Sequence, residues 1–337
     1  MDEIRSKYIN WVDKVLELHR GKYINEFRIH FDLGDDQKSS ITNWIHRALA
    51  EGVQKLELNF DNWFVITGKE YRFPVECYNT LTSSHGLSVI KSLRSLSLRF
   101  VQVNMEIVEF FLYNCPHLER LRVAWSNTLL SLKVVGSSIK LKHLDINNCN
   151  YINEVEISAP SLLSFKYHGP QIKLYIENVP LLLDVSIGGS NPLQLRNFID
   201  PIILYLPQLE TFELLINLKK LISGDHKRKL REFPKYPLEH LKVVEIVGFV
   251  GRPIDLELAF YFLENAHMLE KMTVNPTYST GSYFKSKDSE RKQAARNRAK
   301  LLKKRLFAMD KWLAYSIIGA VSNSSSHVAT KEKNLIK

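Results

Sequence analysis

The feature that most constrains this chain is an apolar triplet that recurs with the spacing L-x-x-L-x-L. It appears as Val53-Leu56-Leu58, Leu93-Leu96-Leu98, Leu118-Leu121-Val123, Leu129-Leu132-Val134, Leu141-Leu144-Ile146 and Ile152-Val155-Ile157. Weaker copies follow at Leu162-Phe165-Tyr167, Leu182-Val185-Ile187, Leu209-Phe212-Leu214, Leu238-Leu241-Val243 and Leu269-Met272-Val274, and Ile24-Phe27-Ile29 can open the series. The last two positions of each copy alternate as a short strand does, while the first packs from the preceding turn. One copy cannot bury its own apolar face. Stacking solves this by lining leucines from distant parts of the chain into one dry column.

Successive copies begin 29, 40, 25, 11, 12, 11, 10, 20, 27, 29 and 31 residues apart. The longer intervals fit a strand, a turn and a helix returning on the outer side, the unit of a leucine-rich repeat of about 20 to 29 residues. The expected fold is therefore α/β: a leucine-rich repeat solenoid, a curved parallel β-sheet with helices or turns on its convex side and irregular short central repeats. Intervals of 10 to 12 residues cannot hold a helix. There, either the chain returns through a bare turn or two short copies share one full coil, and spacing alone leaves both readings open. The polar run Asn147-Asn148-Cys149-Asn150 is expected to form a turn whose amides bond neighbouring backbone.

Five regions follow from these patterns. Residues 1–52 form an N-terminal cap, 53–236 the solenoid, 237–276 terminal repeats, 277–310 a basic helical tail, and 311–337 a short apolar segment with a flexible end. In the cap, Ser6 to Leu18 reads as an amphipathic helix burying Ile9, Trp11, Val12, Val15 and Leu16, ended by Gly21. Ser39 or Ser40 can cap a second helix through Trp44, Ile45, Ala48 and Leu49, with Gly52 stopping it. Ile254 to Asn265 reads as a helix packing Leu256, Ala259, Phe260 and Leu263, and Gly188-Gly189 as a turn after a strand.

Composition excludes several function classes. A chain of 337 residues, 45% hydrophobic, has ample material for a core. The apolar part of Trp312 to Thr330 ends at Val321, short of the roughly 20 residues needed to span a bilayer. Met1 to Arg20 carries Asp2, Glu3, Asp13 and Glu17, unlike a secretory leader, so a cytoplasmic or nuclear location is expected. Cys77, Cys115 and Cys149 form no C-x-x-C pair and read as small core hydrophobes. His85, His117, His143 and His168 have no H-E-x-x-H or other ligand spacing, and no G-x-S-x-G is present. Gly248-x-x-Gly251-Arg252-Pro253 lacks the Lys-Ser/Thr ending of a phosphate loop and reads as a turn. No enzyme class is supported, and no metal or cofactor is expected.

Binding is the remaining class. Residues between the paired leucines face the concave surface, which makes Glu57, Ser97, Arg122, Lys133, Asp145, Glu156, Lys166 and Tyr175 the candidate protein-binding surface. Trp63, Phe64 and Trp125 are candidate aromatic anchors, with burial in the solenoid the competing and favoured reading. The net charge of +10 is concentrated between Lys285 and Arg305, where ten Lys or Arg face two carboxylates for a net +8. Arg291, Lys292, Arg296, Arg298, Lys300, Lys303, Lys304 and Arg305 in this stretch form a candidate basic patch for nucleic acid. An apolar stripe of Ala295, Ala299, Leu302 and Leu306 would dock that helix on the body.

Three stretches together resemble a known group. They are Asn10-Trp11-Val12-Asp13-Lys14-Val15-Leu16 through Gly21, the run from Trp44 to Leu58, and Cys115-Pro116-His117-Leu118-Glu119-x-Leu121. Toward the other end stand Leu238-Glu239-His240-Leu241-Lys242 through Phe249, Glu264-Asn265-Ala266-His267-Met268-Leu269-Glu270-Lys271-Met272, and the basic run from Glu290 to Leu306. In combination these resemble plant F-box proteins that carry leucine-rich repeats and a C-terminal FBD domain. The resemblance implies target recognition by the repeats within a cullin-type ubiquitin ligase, with an F-box gripping a Skp-type adaptor. The L-P-x-x-[LI] opening of an F-box is not found ahead of Ser6, so adaptor attachment is expected only of a longer form carrying one, while binding of a target protein stands.

Overall fold

Alternate residues along most of the predicted strands are buried, and the strands stack in parallel. The structure is a computed structural model that describes residues 2–61, 70–74, 90–189, 202, 208–216, 237–249, 253–275 and, for the backbone alone, 314–317. The main sheet has eleven parallel strands. In spatial order they are β1 (Glu26–His30), β2 (Lys55–Asn59), β4 (Ser95–Arg99), β6 (Arg120–Ala124), β8 (His143–Asn147), β10 (Ser164–Gly169), β12 (Asp184–Gly189), β13 (Thr211–Ile216), β14 (Val243–Val247), β15 (Lys271–Asn275) and β16 (Ala314–Ile317). Leu56, Leu96, Leu121, Leu144, Phe165, Val185, Phe212, Val244 and Met272 fall in one row, each at most 1% exposed. This is the dry column of a leucine-rich repeat solenoid.

The short central intervals resolve into two strands per coil. A second, three-stranded parallel sheet takes β7 (Ser131–Val135), β9 (Glu154–Ser158) and β11 (Lys173–Glu177), which alternate along the chain with β6, β8, β10 and β12. A full coil therefore runs from His143 to Ser164, and the bare-turn reading is set aside. Leu132, Val134, Val155 and Ile157 of the second sheet join the same core as the main column. Strand β11 was not among the expected copies, because Pro170-Gln171 disturbs the triplet spacing and leaves Ile172, Leu174 and Ile176 as a plain alternation.

Helices occupy the return path elsewhere. They are α1 (Asp2–Leu18), α2 (Lys38–Ala50), α3 (Met105–Asn114) and α4 (Pro253–Asn265), and a two-stranded sheet pairs β3 (Tyr71–Arg72) with β5 (Val101–Gln102). In α1, Val12 and Leu16 are buried and Tyr8 stacks on Phe31 at 4.0 Å. Trp11 and Val15, expected on that face, are 61% and 47% exposed, since the buried stripe follows Tyr8, Val12 and Leu16 at helical spacing. Helix α2 begins one residue before Ser39, after a short turn over Asp35–Gln37, so neither serine caps it. Gly52 does end it, in left-handed backbone at φ 73°.

Three further expectations change. In α4, Leu258, Tyr261 and Phe262 are buried together with Ala259 and Leu263, while Leu256 and Phe260 are only partly covered. Gly188-Gly189 lies inside β12, and a side chain at Gly188 would meet His168 Cδ2 at 2.3 Å. In β14 the buried pair is Val244 and Ile246, so the triplet is Leu241-Val244-Ile246, shifted by three from the sequence reading. Cys115 and Cys149 are buried as expected, and Cys77 lies outside the described residues.

Candidate protein-binding surface

The side chains opposite the core form straight rows, because the parallel strands of the main sheet pair without slippage. The central row reads Arg28, Glu57, Ser97, Arg122, Asp145, Lys166, Ser186, Glu213, Glu245 and Thr273. Five predicted residues, Glu57, Ser97, Arg122, Asp145 and Lys166, stand there together. Lys133, Glu156 and Tyr175 do not. They belong to the second sheet, where Lys133 pairs with Glu156 at 3.1 Å and Tyr175 is 51% exposed. The physical reason is the alternation of strands between two sheets, which turns every second copy toward the opposite side.

Sequence reasoning missed Arg28, Ser186, Glu213, Glu245 and Thr273. The signal was present, since each lies between the last two apolar positions of a recognised copy or, in β14, of the shifted triplet. Ser186 donates its hydroxyl to Glu213 Oε2 at 2.6 Å, and Ser164 donates to Asp184 Oδ2 at 2.8 Å. At the other end Arg28 lies 3.4 Å from Glu57.

The centre of the row is cationic. Arg122 Nε stands 3.2 Å from Asp145 Oδ2, though without hydrogen-bond geometry. Burial pushes the Asp145 carboxyl up from its ordinary range, against the pull of Arg122, Lys166, Arg99 and the Asn147 amide. Arg99, two residues beyond Ser97 along β4, holds a buried Nε that meets no acceptor among the described residues. Its register partner Asn59 is 4% exposed, and Asn59 Oδ1 meets no donor among them. Further along, burial and the neighbouring Glu213 raise the Glu245 carboxyl, with Lys271 opposing. Burial lowers His143 and His168, which keeps both imidazoles neutral near pH 7.

The ends of β4 and β6 add aromatic area. Phe100 and Trp125 follow these strands in left-handed backbone, at φ 55° and 60°, and their rings stack at 5.3 Å. Trp125 is 39% exposed, so the favoured reading of burial gives way to a shelf on the rim. Trp63 and Phe64 lie outside the described residues. In the polar run after β8, Asn148 adopts φ 52° and donates its backbone N–H to His168 O, while Asn150 Nδ2 bonds Asn127 Oδ1 rather than backbone. The turn forms, with backbone strain in place of the expected amide contacts.

No group of three or more His, Cys, Asp or Glu among the described residues could hold a metal ion. His117 is exposed and His85 lies outside the described residues. A polar hollow of about 470 Å³ lies beside β3 and β5, lined by Asp35, Asp36, Glu70, Arg72 and Gln102 among others, away from the central row. No described helix is long and apolar enough to cross a membrane. The candidate basic patch, Arg291 to Arg305, lies outside the described residues and falls in sequence between the paired strands β15 and β16.

Comparison with known proteins bears on the same regions. The family model of the At1g61320/AtMIF1 LRR domain matches residues 76–200, and the FBD model matches residues 228–274. The Arabidopsis thaliana F-box/LRR-repeat protein At2g42730 is 27% identical over 252 residues, 63% of this chain and 54% of that protein. The F-box protein At3g59000 of the same plant is 26% identical over 178 residues, 49% of this chain and 36% of that protein. Its FBD-associated F-box protein At1g61320 is 23% identical over 197 residues, 53% and 40% of the two chains. The chain thus spans about a third to a half of these relatives. In its leucine-rich repeats and its FBD segment, the chain is similar to the plant F-box/FBD/LRR-repeat proteins.

Proposed function

We propose that this chain is a non-catalytic scaffold that holds a target protein against the concave face of its main sheet. The observation that supports this reading is the in-register row from Arg28 to Thr273, a long polar surface on a rigid sheet. Such a row offers many small contacts to a macromolecule and no convergent set of reactive groups. The role matches target selection by the repeats of F-box/LRR substrate receptors in cullin-type ubiquitin ligases, acting in the cytoplasm or nucleus. Attachment to a Skp-type adaptor would come from an F-box in a longer form.

Affinity purification tests the reading. A captured protein should persist when residues 285–337 are removed and be lost when Arg122 and Glu213 are both replaced by Ala. Capture that survives the double replacement and vanishes on the deletion would reject the concave face. The +8 stretch from Lys285 to Arg305 supports a second reading, nucleic-acid binding. That reading requires affinity for an oligonucleotide that falls steeply between low and physiological salt.

A further inference from the structure

The concave face is divided by charge along the stack. From β4 to β10 it carries Arg99, Arg120, Arg122 and Lys166 against the single carboxylate Asp145. From β12 to β14 it carries Asp184, Glu213 and Glu245 and no Lys or Arg on the strand positions of that face. Lys166 has no ion-pair partner among the described residues, and Arg122 shares its carboxylate with the fields of Arg99 and Lys166. In the acidic half, Glu213 takes a hydroxyl from Ser186 but leaves Glu245 facing another carboxylate. Each half therefore gains from an incoming charge of the opposite sign.

Resting on the reading of this face as a protein-binding surface, we infer that its ligand is an extended protein segment bearing an acidic and a basic side chain about five residues apart. The spacing follows from the sheet. The cationic half, β4 to β10, centres between β6 and β8 and the acidic half, β12 to β14, on β13, three and a half strand steps away in the sheet order. At about 4.8 Å per step this is roughly 17 Å, which an extended segment covers in about five residues at ~3.4 Å each. The acidic half, with Asp184, Glu213 and Glu245, repels a polyanion such as a nucleic acid.

The test uses the full chain and synthetic peptides on a Gly/Ser background, read by fluorescence anisotropy. One series carries two acidic and two basic residues separated by two to nine positions; controls are all-acidic, all-basic and neutral, with a single-stranded oligonucleotide beside them. The expected result is an optimum near a separation of five, at least about tenfold tighter than either single-sign control. Replacing Arg122 and Lys166 by Gln should shift the preference to all-basic peptides. Replacing Glu213 and Glu245 by Gln should shift it to all-acidic ones. Because these variants read a change of rank, loss of folding cannot imitate the result. A flat dependence on separation, an unchanged ranking in both variants, tighter binding of the oligonucleotide, or no peptide binding would each overturn the inference. In all four cases, partner capture sensitive to the Arg122 and Glu213 double replacement would still leave the scaffold reading standing.

Discussion

Gly248 and Gly52 both hold left-handed backbone, at φ 82° and 73°, yet a side chain would meet different surroundings at each. At Gly52 the nearest atom to an added Cβ is Ser92 Oγ at 3.6 Å, so Gly52→Ala should cost only the left-handed strain, roughly 1–2 kcal/mol. At Gly248 the Cβ would stand 2.1 Å from the carbonyl oxygen of Ile216, and Gly248→Ala should lose a further ~1–3 kcal/mol. Urea denaturation of the two variants checks this, and equal losses would contradict it. The buried thiols allow a second check. Burial pushes Cys115 up to about 12 and Cys149 up to about 11. Neither should react with a thiol reagent near pH 8 in the folded chain, and both should label once it unfolds, as peptide mass mapping can read. The sign for stability follows. With folded values above the unfolded one, their contribution is whole below the ordinary thiol range, about 8.5, and is lost as pH rises through about 11 to 12.

Elements are set by local chemistry and then by what covers them. Helix α3 starts at Asn104, whose side-chain oxygen accepts the N–H of Ile107 at 3.1 Å. Asn104→Ala should therefore cost about 1 kcal/mol, visible as a lowered thermal midpoint, and no shift would mean the cap is idle. The strands of the column were legible because apolar residues at triplet spacing admit one register against a core. Leu144 illustrates it: predicted in the column, it is 1% exposed, and Leu144→Ala should cost roughly 2–5 kcal/mol. What stayed open was which side each short copy faces. Leu129-Leu132-Val134 and Leu141-Leu144-Ile146 are indistinguishable by hydrophobicity, and only pairing with β9 or with β6 and β10 separates them. The same ambiguity placed Lys133, Glu156 and Tyr175 on the concave row, whereas they stand on the second sheet. Trp11 and Trp125 were misjudged for another reason, since size argues for burial while a helix flank or a rim after a strand can leave a large ring outside.

At the scale of the molecule, the solenoid is a series of coils that each meet their neighbours through register pairs, so its stability is close to a sum of coil and interface contributions. His143 pairs with Ser164 and with Arg120, which makes residues 143–163 one complete unit holding both β8 and β9. Removing that unit joins Lys142 to Ser164 and offers β10 to β6, and β11 to β7, with every apolar residue on its former side. Such a chain should fold, with an unchanged shape of the circular dichroism spectrum and a lower thermal midpoint. Removing residues 143–153 instead joins Lys142 to Glu154 and drives β9 into the main sheet, with the return strand missing from its coil. The loss of Leu144 and Ile146 from the column, together with the misplaced half-coil, should abolish cooperative unfolding. If the shorter deletion were tolerated as well as the longer one, the two-strand coil would be wrong and each short copy would have to be a repeat by itself.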